Sequence, residues 1–96
     1  MKPHDIIAKL KHERAVLDQL DVASLRLFGS VARGEAGPLS DADFIVRFRG
    51  PPAFDRYMDL KFFLEEMVGR RVDLVTEGAL RPALRAAVEQ DAVRVA

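Results

Sequence analysis

Residues 28–46 read FGSVARGEAGPLSDADFIV, from Phe28 to Val46, and the alternation of apolar runs and chain breakers in this stretch decides the fold. Ser24 to Phe28 is short and apolar on both sides of Arg26, which predicts a strand that Gly29-Ser30 ends. Ser30 reads as an N-cap for one or two helical turns over Val31-Ala32-Arg33, stopped by Gly34. Glu35 to Ser40 contains Gly37-Pro38, a loop signal. Asp41 to Phe48, carrying Phe44, Ile45, Val46 and Phe48, reads as a buried central strand. So short a connection between the first and second strands favours an antiparallel pair.

Working outward, Gly50-Pro51-Pro52 breaks the second strand, and Phe54 to Val68 reads as a largely buried helix with Gly69 at its C′ position. Arg71 to Thr76 is a third strand. A strand–helix–strand crossover makes the second and third strands parallel. On the other side, Asp5 to about Leu20 places Ile6, Ile7, Leu10, Val16, Leu17 and Leu20 along one face of an amphipathic helix. Pro82 fits the first turn of a last helix running to about Gln90, and Ala92 to Ala96 suits either a short strand or a frayed end. The expected fold is α/β: a small mixed β-sheet with helices packed mainly on one face, in a single domain over residues 1–96.

This topology has a chemical consequence. The C-terminal end of strand one lies on the same sheet edge as the starts of strands two and three, so Gly29-Ser30, Asp41, Asp43 and Asp73 converge there. Asp41 and Asp43 are two apart, and alternate side chains of a strand share a face about 6.6 Å apart along the chain. Both carboxylates can grip one divalent cation, and Asp73 on the neighbouring strand supplies a third. An all-oxygen ligand set without histidine or cysteine suits Mg²⁺ or Mn²⁺ far better than zinc. Two such ions can hold the attacking and leaving oxygens of an in-line phosphoryl displacement. Gly29 lets backbone approach a phosphate closely, the Ser30 hydroxyl adds a hydrogen bond, and Arg33 one turn later is placed either to reach a triphosphate or to solvate a helix end.

Composition narrows the partners. Fifteen basic residues balance fifteen acidic ones, whereas a nucleic-acid binder usually carries a basic excess. Small substrates or a protein partner are expected instead, with no direct nucleic acid. There is no cysteine, hence neither a thiolate nucleophile nor a disulfide. No apolar run approaches the roughly 18 residues of a membrane span, and Met1-Lys2-Pro3-His4-Asp5 has no signal-peptide character. A cytoplasmic protein is the default. His4 and His12 fit no ligand pattern and read as solvent-facing, Arg70-Arg71 as charges at a helix C-terminus or beside the metal site, and Phe54, Tyr57, Phe62 and Phe63 most simply as core, with part of that apolar excess open to a partner.

Gly29-Ser30, ten residues, then Asp41-Ala42-Asp43 reproduces the GS-x10-DxD pattern. Four fixed residues at this spacing arise by chance in on the order of one such chain in a thousand. The chain thus resembles the DNA polymerase beta-type nucleotidyltransferase superfamily. The string from Phe28 to Val46, with the VDLVTEGAL stretch from Val72 to Leu80, is similar to minimal nucleotidyltransferases that act as antitoxins in MNT/HEPN toxin–antitoxin systems. The resemblance implies that Asp41, Asp43 and Asp73 are catalytic and bind metal, that Asp73 is also placed to draw the acceptor hydroxyl proton, and that Gly29 and Ser30 hold the triphosphate. It implies ATP as donor and transfer of AMP to a tyrosine hydroxyl of a cognate HEPN ribonuclease, in an oligomer with that partner. One departure is the AVRVA ending, where relatives often carry an aromatic. Two other readings stay open: an antitoxin that acts by binding and occlusion only, and a small-molecule nucleotidyltransferase of the antibiotic-modifying kind whose partner subunit supplies the acceptor site.

Overall fold

The computed structural model describes residues 2–35, 37 and 40–96, so part of the Gly37-Pro38 loop signal lies outside the described residues. The chain opens with α1 (Pro3–Lys11), whose start is fixed by Pro3 and by the Lys2 N–H donating to Asp5 Oδ2 at 3.2 Å. Where a single helix to Leu20 was expected, the chain turns at His12 and Glu13 and resumes as α2 (Arg14–Gln19). The Glu13 N–H closes a tighter bond to the Leu10 carbonyl at 3.0 Å, and Glu13 leaves helical geometry. Both pieces still bury their apolar residues, Ile6 and Leu10 from α1 and Leu17 from α2.

Asp21, in the left-handed region at φ 60°, turns the chain into β1 (Val22–Phe28), two residues longer at its start than the sequence suggested. The short α3 (Gly29–Ala32) follows; Gly29 begins it, with no side-chain cap from Ser30, and Gly34 at φ 74° ends the turn. Then come β2 (Ala42–Phe48), α4 (Phe54–Val68), β3 (Val72–Thr76), a 3-10 turn (Glu77–Ala79), α5 (Pro82–Asp91) and β4 (Val93–Arg94). Gly69 ends α4 at φ 75°, as its position implied.

The four strands form one sheet in the order β3-β2-β1-β4. β1 runs antiparallel to β2 and β4, and β2 runs parallel to β3. The C-terminal residues settle as an edge strand. Val93 pairs with Leu27, the Val95 N–H donates to the Leu25 carbonyl at 2.8 Å, and Val95 and Ala96 are buried.

The main core lies on one face, where Leu25, Leu27, Phe44, Val46, Val72 and Leu74 meet Ile6, Leu10, Leu60, Leu64 and Val68. The opposite face holds a smaller cluster of Ile45, Leu80 and Val88, flanked by Phe28, Val75 and Ala92. Phe44, Ile45 and Val46 are all buried because β2 is covered on both faces. Two expected core residues are surface instead: Phe54 is 75% and Phe62 57% exposed, on the outer side of α4, whereas Tyr57 and Phe63 pack against the core. An amphipathic helix buries one stripe, and Leu60, Leu64 and Val68 already fill it. Among the described residues no helix is long and apolar enough to cross a membrane.

Candidate active site

Register brings the acidic residues together. Asp43 is the partner of Asp73 across β2 and β3, and of Phe28 across β2 and β1. Paired residues on adjacent strands project from the same face, so the Asp43 and Asp73 side chains share the side that carries α5. Asp41 stands one residue ahead of β2 and is exposed. The start of β2 is held to the start of β3 by the Ala42 N–H donating to the Arg71 carbonyl at 2.9 Å. Arg70 Nη1 donates to the Ser40 carbonyl at 3.2 Å and to the Gly37 carbonyl at 3.4 Å. These bonds fasten the segment leading into Asp41.

Asp43 carries the clearest electrostatic signature in the chain. Its pKa is pushed up to about 6, first by burial and then by the negative charges of Asp73 and Asp41, with the Arg33 cation working the other way. Among the described residues no three Asp, Glu, His or Cys side chains stand close enough to cage a metal. Asp41, Asp43 and Asp73 instead form a crowded anionic edge whose mutual repulsion a divalent cation would relieve. Oxygen donors and the lack of nitrogen or sulfur ligands fit Mg²⁺ or Mn²⁺.

Gly29 lies directly against this edge. It adopts φ 76°, and a methyl group built on it would overlap Asp43 Oδ2. Glycine is therefore required twice, by backbone conformation and by the carboxylate lying over it. The sequence had suggested room for a phosphate; the structure adds room for Asp43 itself.

Gly29, Arg33, Asp43 and Asp73 line one cavity of about 430 Å³, within the range of small-molecule sites. Its other wall is apolar, built from Phe28, Val75, Leu80 and Val88, with Arg81 and Asp91 from α5 also lining it. Ser30 and Asp41 are not part of its lining. Arg33 is engaged rather than loose: its Nε donates to Glu35 Oε2 at 3.0 Å and its Nη1 to Asp91 Oδ2 at 2.7 Å. These two bonds, to Glu35 first and then Asp91, raise its pKa above the ordinary value. Asp91, Leu80 and Arg81 had no signal in the sequence, because they enter the site only through the way α5 folds back over the sheet. His4 and His12 are exposed, as expected.

Residues 9–95 match the family model of the nucleotidyltransferase domain. The chain is 38% identical over 88 residues to "Putative protein adenylyltransferase MJ1379" of Methanocaldococcus jannaschii, covering 88% of each chain. It is 33% identical over 84 residues to the protein adenylyltransferase MntA of Thermococcus cleftensis, covering 88% of this chain and 85% of that one. A solved structure described as a "putative minimal nucleotidyltransferase" superposes with a TM-score of 0.81 at 35% identity, over 97% of this chain and 95% of the other. The fold, though at only 18% identity, also recurs in a complex of a tri-AMPylated Shewanella oneidensis HEPN toxin with an MNT antitoxin, with a TM-score of 0.65 over 93% of this chain and 70% of that one. The acidic edge, the glycine turn beneath it and the match over residues 9–95 lead to one conclusion: the chain belongs to the nucleotidyltransferase-domain family and is a nucleotidyltransferase.

Proposed function

We propose that this enzyme is an antitoxin that transfers AMP from ATP to a tyrosine hydroxyl of a cognate HEPN-type toxin. The observation that carries the reading is the register pair Asp43–Asp73 facing one cavity beside Gly29. The relatives named as protein adenylyltransferases support AMP as the group moved, and the HEPN complex with the same fold supports the partner class.

In this reading Asp41, Asp43 and Asp73 hold Mg²⁺, in two ions or one. When bound, the metal neutralises charge developing on the phosphoryl oxygens and on the departing pyrophosphate. The residues do the positioning. Gly29 and the Ser30 hydroxyl seat the triphosphate, and Arg33 faces its negative charge from the cavity wall. Asp73, more exposed than Asp43, would take the proton of the acceptor hydroxyl as its oxygen attacks the α-phosphorus and pyrophosphate leaves. Phe28, Val75, Leu80 and Val88 give the reacting centre one apolar wall.

The test is to incubate the candidate toxin with ATP, Mg²⁺ and this chain, and then weigh the toxin by mass spectrometry. A gain of whole AMP groups on tyrosine supports the proposal. An inhibited toxin of unchanged mass would replace it with occlusion, and AMP on a small acceptor without any toxin would replace it with the antibiotic-type activity.

A further inference from the structure

The cavity contains one carboxylate that the transfer chemistry does not use. Asp91 is the last residue of α5, lines the same cavity as Asp43 and Asp73, and holds Arg33 Nη1 at 2.7 Å across 58 residues of chain. Glu35 Oε2 takes Arg33 Nε at 3.0 Å. A guanidinium is planar, with its donors in a fixed fork, so two anchored donors define its whole plane. Among the described residues Nη2 has no partner, and the Arg33 side chain is 42% exposed. Backbone geometry alone does not hold so long a side chain in the cavity wall. The Arg33 N–H donates to the Gly29 carbonyl at 3.1 Å, which fixes where the side chain starts but not where it ends.

We infer that Asp91 is a positioning residue: by holding Nη1, it keeps the Arg33 guanidinium in the cavity wall with Nη2 available to a phosphate oxygen of the bound nucleoside triphosphate. The inference rests on the nucleotidyl-transfer reading. It gives α5 a role beyond covering the sheet, since its last residue joins the C-terminal helix to the turn that begins at Gly29. Asp91 also cancels part of the charge on Arg33, and a residue acting mainly in that way would compete with the triphosphate for the guanidinium. The two roles predict opposite signs.

Affinity for a non-hydrolysable ATP analogue with Mg²⁺, measured by calorimetry on the whole chain, separates them. Asp91→Ala weakens binding by roughly tenfold, the scale of one charge-assisted hydrogen bond lost through a coupled partner. Asp91→Asn, which keeps an acceptor oxygen and the side-chain shape, recovers part of that loss. In an Arg33→Ala background Asp91→Ala has no further effect, because Asp91 then has nothing to position. Unchanged or tighter binding by Asp91→Ala, or the same loss in the Arg33→Ala background, overturns the inference while leaving nucleotidyl transfer standing. Failure of the unmutated chain to bind the analogue sinks both.

Discussion

Replacing Asp43 with asparagine should stabilise the metal-free protein while abolishing its activity. The Asp43 carboxyl has its pKa raised from 3.8 to about 6, by burial first and by Asp73 and Asp41 next. At about 1.36 kcal/mol per pKa unit, the full shift corresponds to roughly 3 kcal/mol. Asp43 is only partly buried, so solvent screening brings the usable figure to about 1 kcal/mol. The sign follows from linkage. A carboxyl with a folded pKa above its unfolded one favours the fold when protonated, and that contribution is lost as pH rises from near 3.8 through about 6. Asparagine never ionises and escapes the loss. In Mg²⁺-free buffer at pH 7.5, Asp43→Asn should therefore melt about 4–8 °C above the unmutated chain, from the entropy of unfolding of a domain this size. The gap should narrow as pH falls below about 6 and close below the ordinary carboxyl range. Adding Mg²⁺ and ATP should raise the melting temperature of the unmutated chain and leave Asp43→Asn where it was, because only a ligand that binds the native state stabilises it. A metal-free Asp43→Asn protein less stable than the parent at pH 7.5, or a gap that does not change with pH, would refute the reasoning.

Gly29→Ala forces a side chain to φ 76° and into Asp43 Oδ2, so it should cost at least about 1 kcal/mol in chemical denaturation and most of the transfer activity. Glu65 accepts the Val72 N–H at 3.0 Å, one residue before Asp73, and that bond, helped by Lys61, holds its carboxyl below the usual range. Glu65→Ala should destabilise the chain by about 1 kcal/mol near neutral pH, and the deficit should shrink as pH drops through the depressed Glu65 pKa, where the parent's bond loses its charge assistance. Phe54→Ser and Phe62→Ser should each leave stability within about 0.5 kcal/mol of the parent, because neither ring is buried. A larger loss in urea unfolding would mean that the outer side of α4 is covered.

Much of the architecture was legible because it depends on connections. The brevity of the link from Phe28 to Asp41 and the helix between β2 and β3 dictate one antiparallel and one parallel pair. Those two pairings alone bring Gly29, Asp43 and Asp73 to one edge. The alternation rule does not reach Asp41, because β2 starts one residue later than expected and leaves Asp41 exposed ahead of the strand. The illegible parts depend on side-chain partners far apart in sequence. Arg33 meets Asp91, and Arg70 reaches back to the Ser40 carbonyl, through pairings that no local pattern encodes. The last residues were ambiguous for a similar reason. Whether Val93 to Ala96 frays or pairs depends on β1 having an open edge, which becomes visible only once all four strands are placed.

The two faces of the sheet divide the work, and that division explains how a 96-residue chain can carry an unfavourable site. On one face α1 and α4 bury leucine, isoleucine and valine against the strands, and among the described residues no polar or charged one is buried with them. This is where the stability lies, since each fully buried aliphatic side chain contributes about 1.5–3 kcal/mol. On the other face, among the described residues, α5 sets Val88 against Ile45 and Leu80, and is tied down by ion pairs: Arg26 with Glu89 at 3.2 Å and Arg33 with Asp91 at 2.7 Å. Partly exposed ion pairs of this kind contribute little each. A face that contributes little to folding can tolerate three crowded aspartates, a glycine in the left-handed region and a half-buried carboxyl held near pH 6. Placed on the α4 face, the same groups would oppose the core; placed under α5, they leave it intact and face a cavity whose second wall is held by charge.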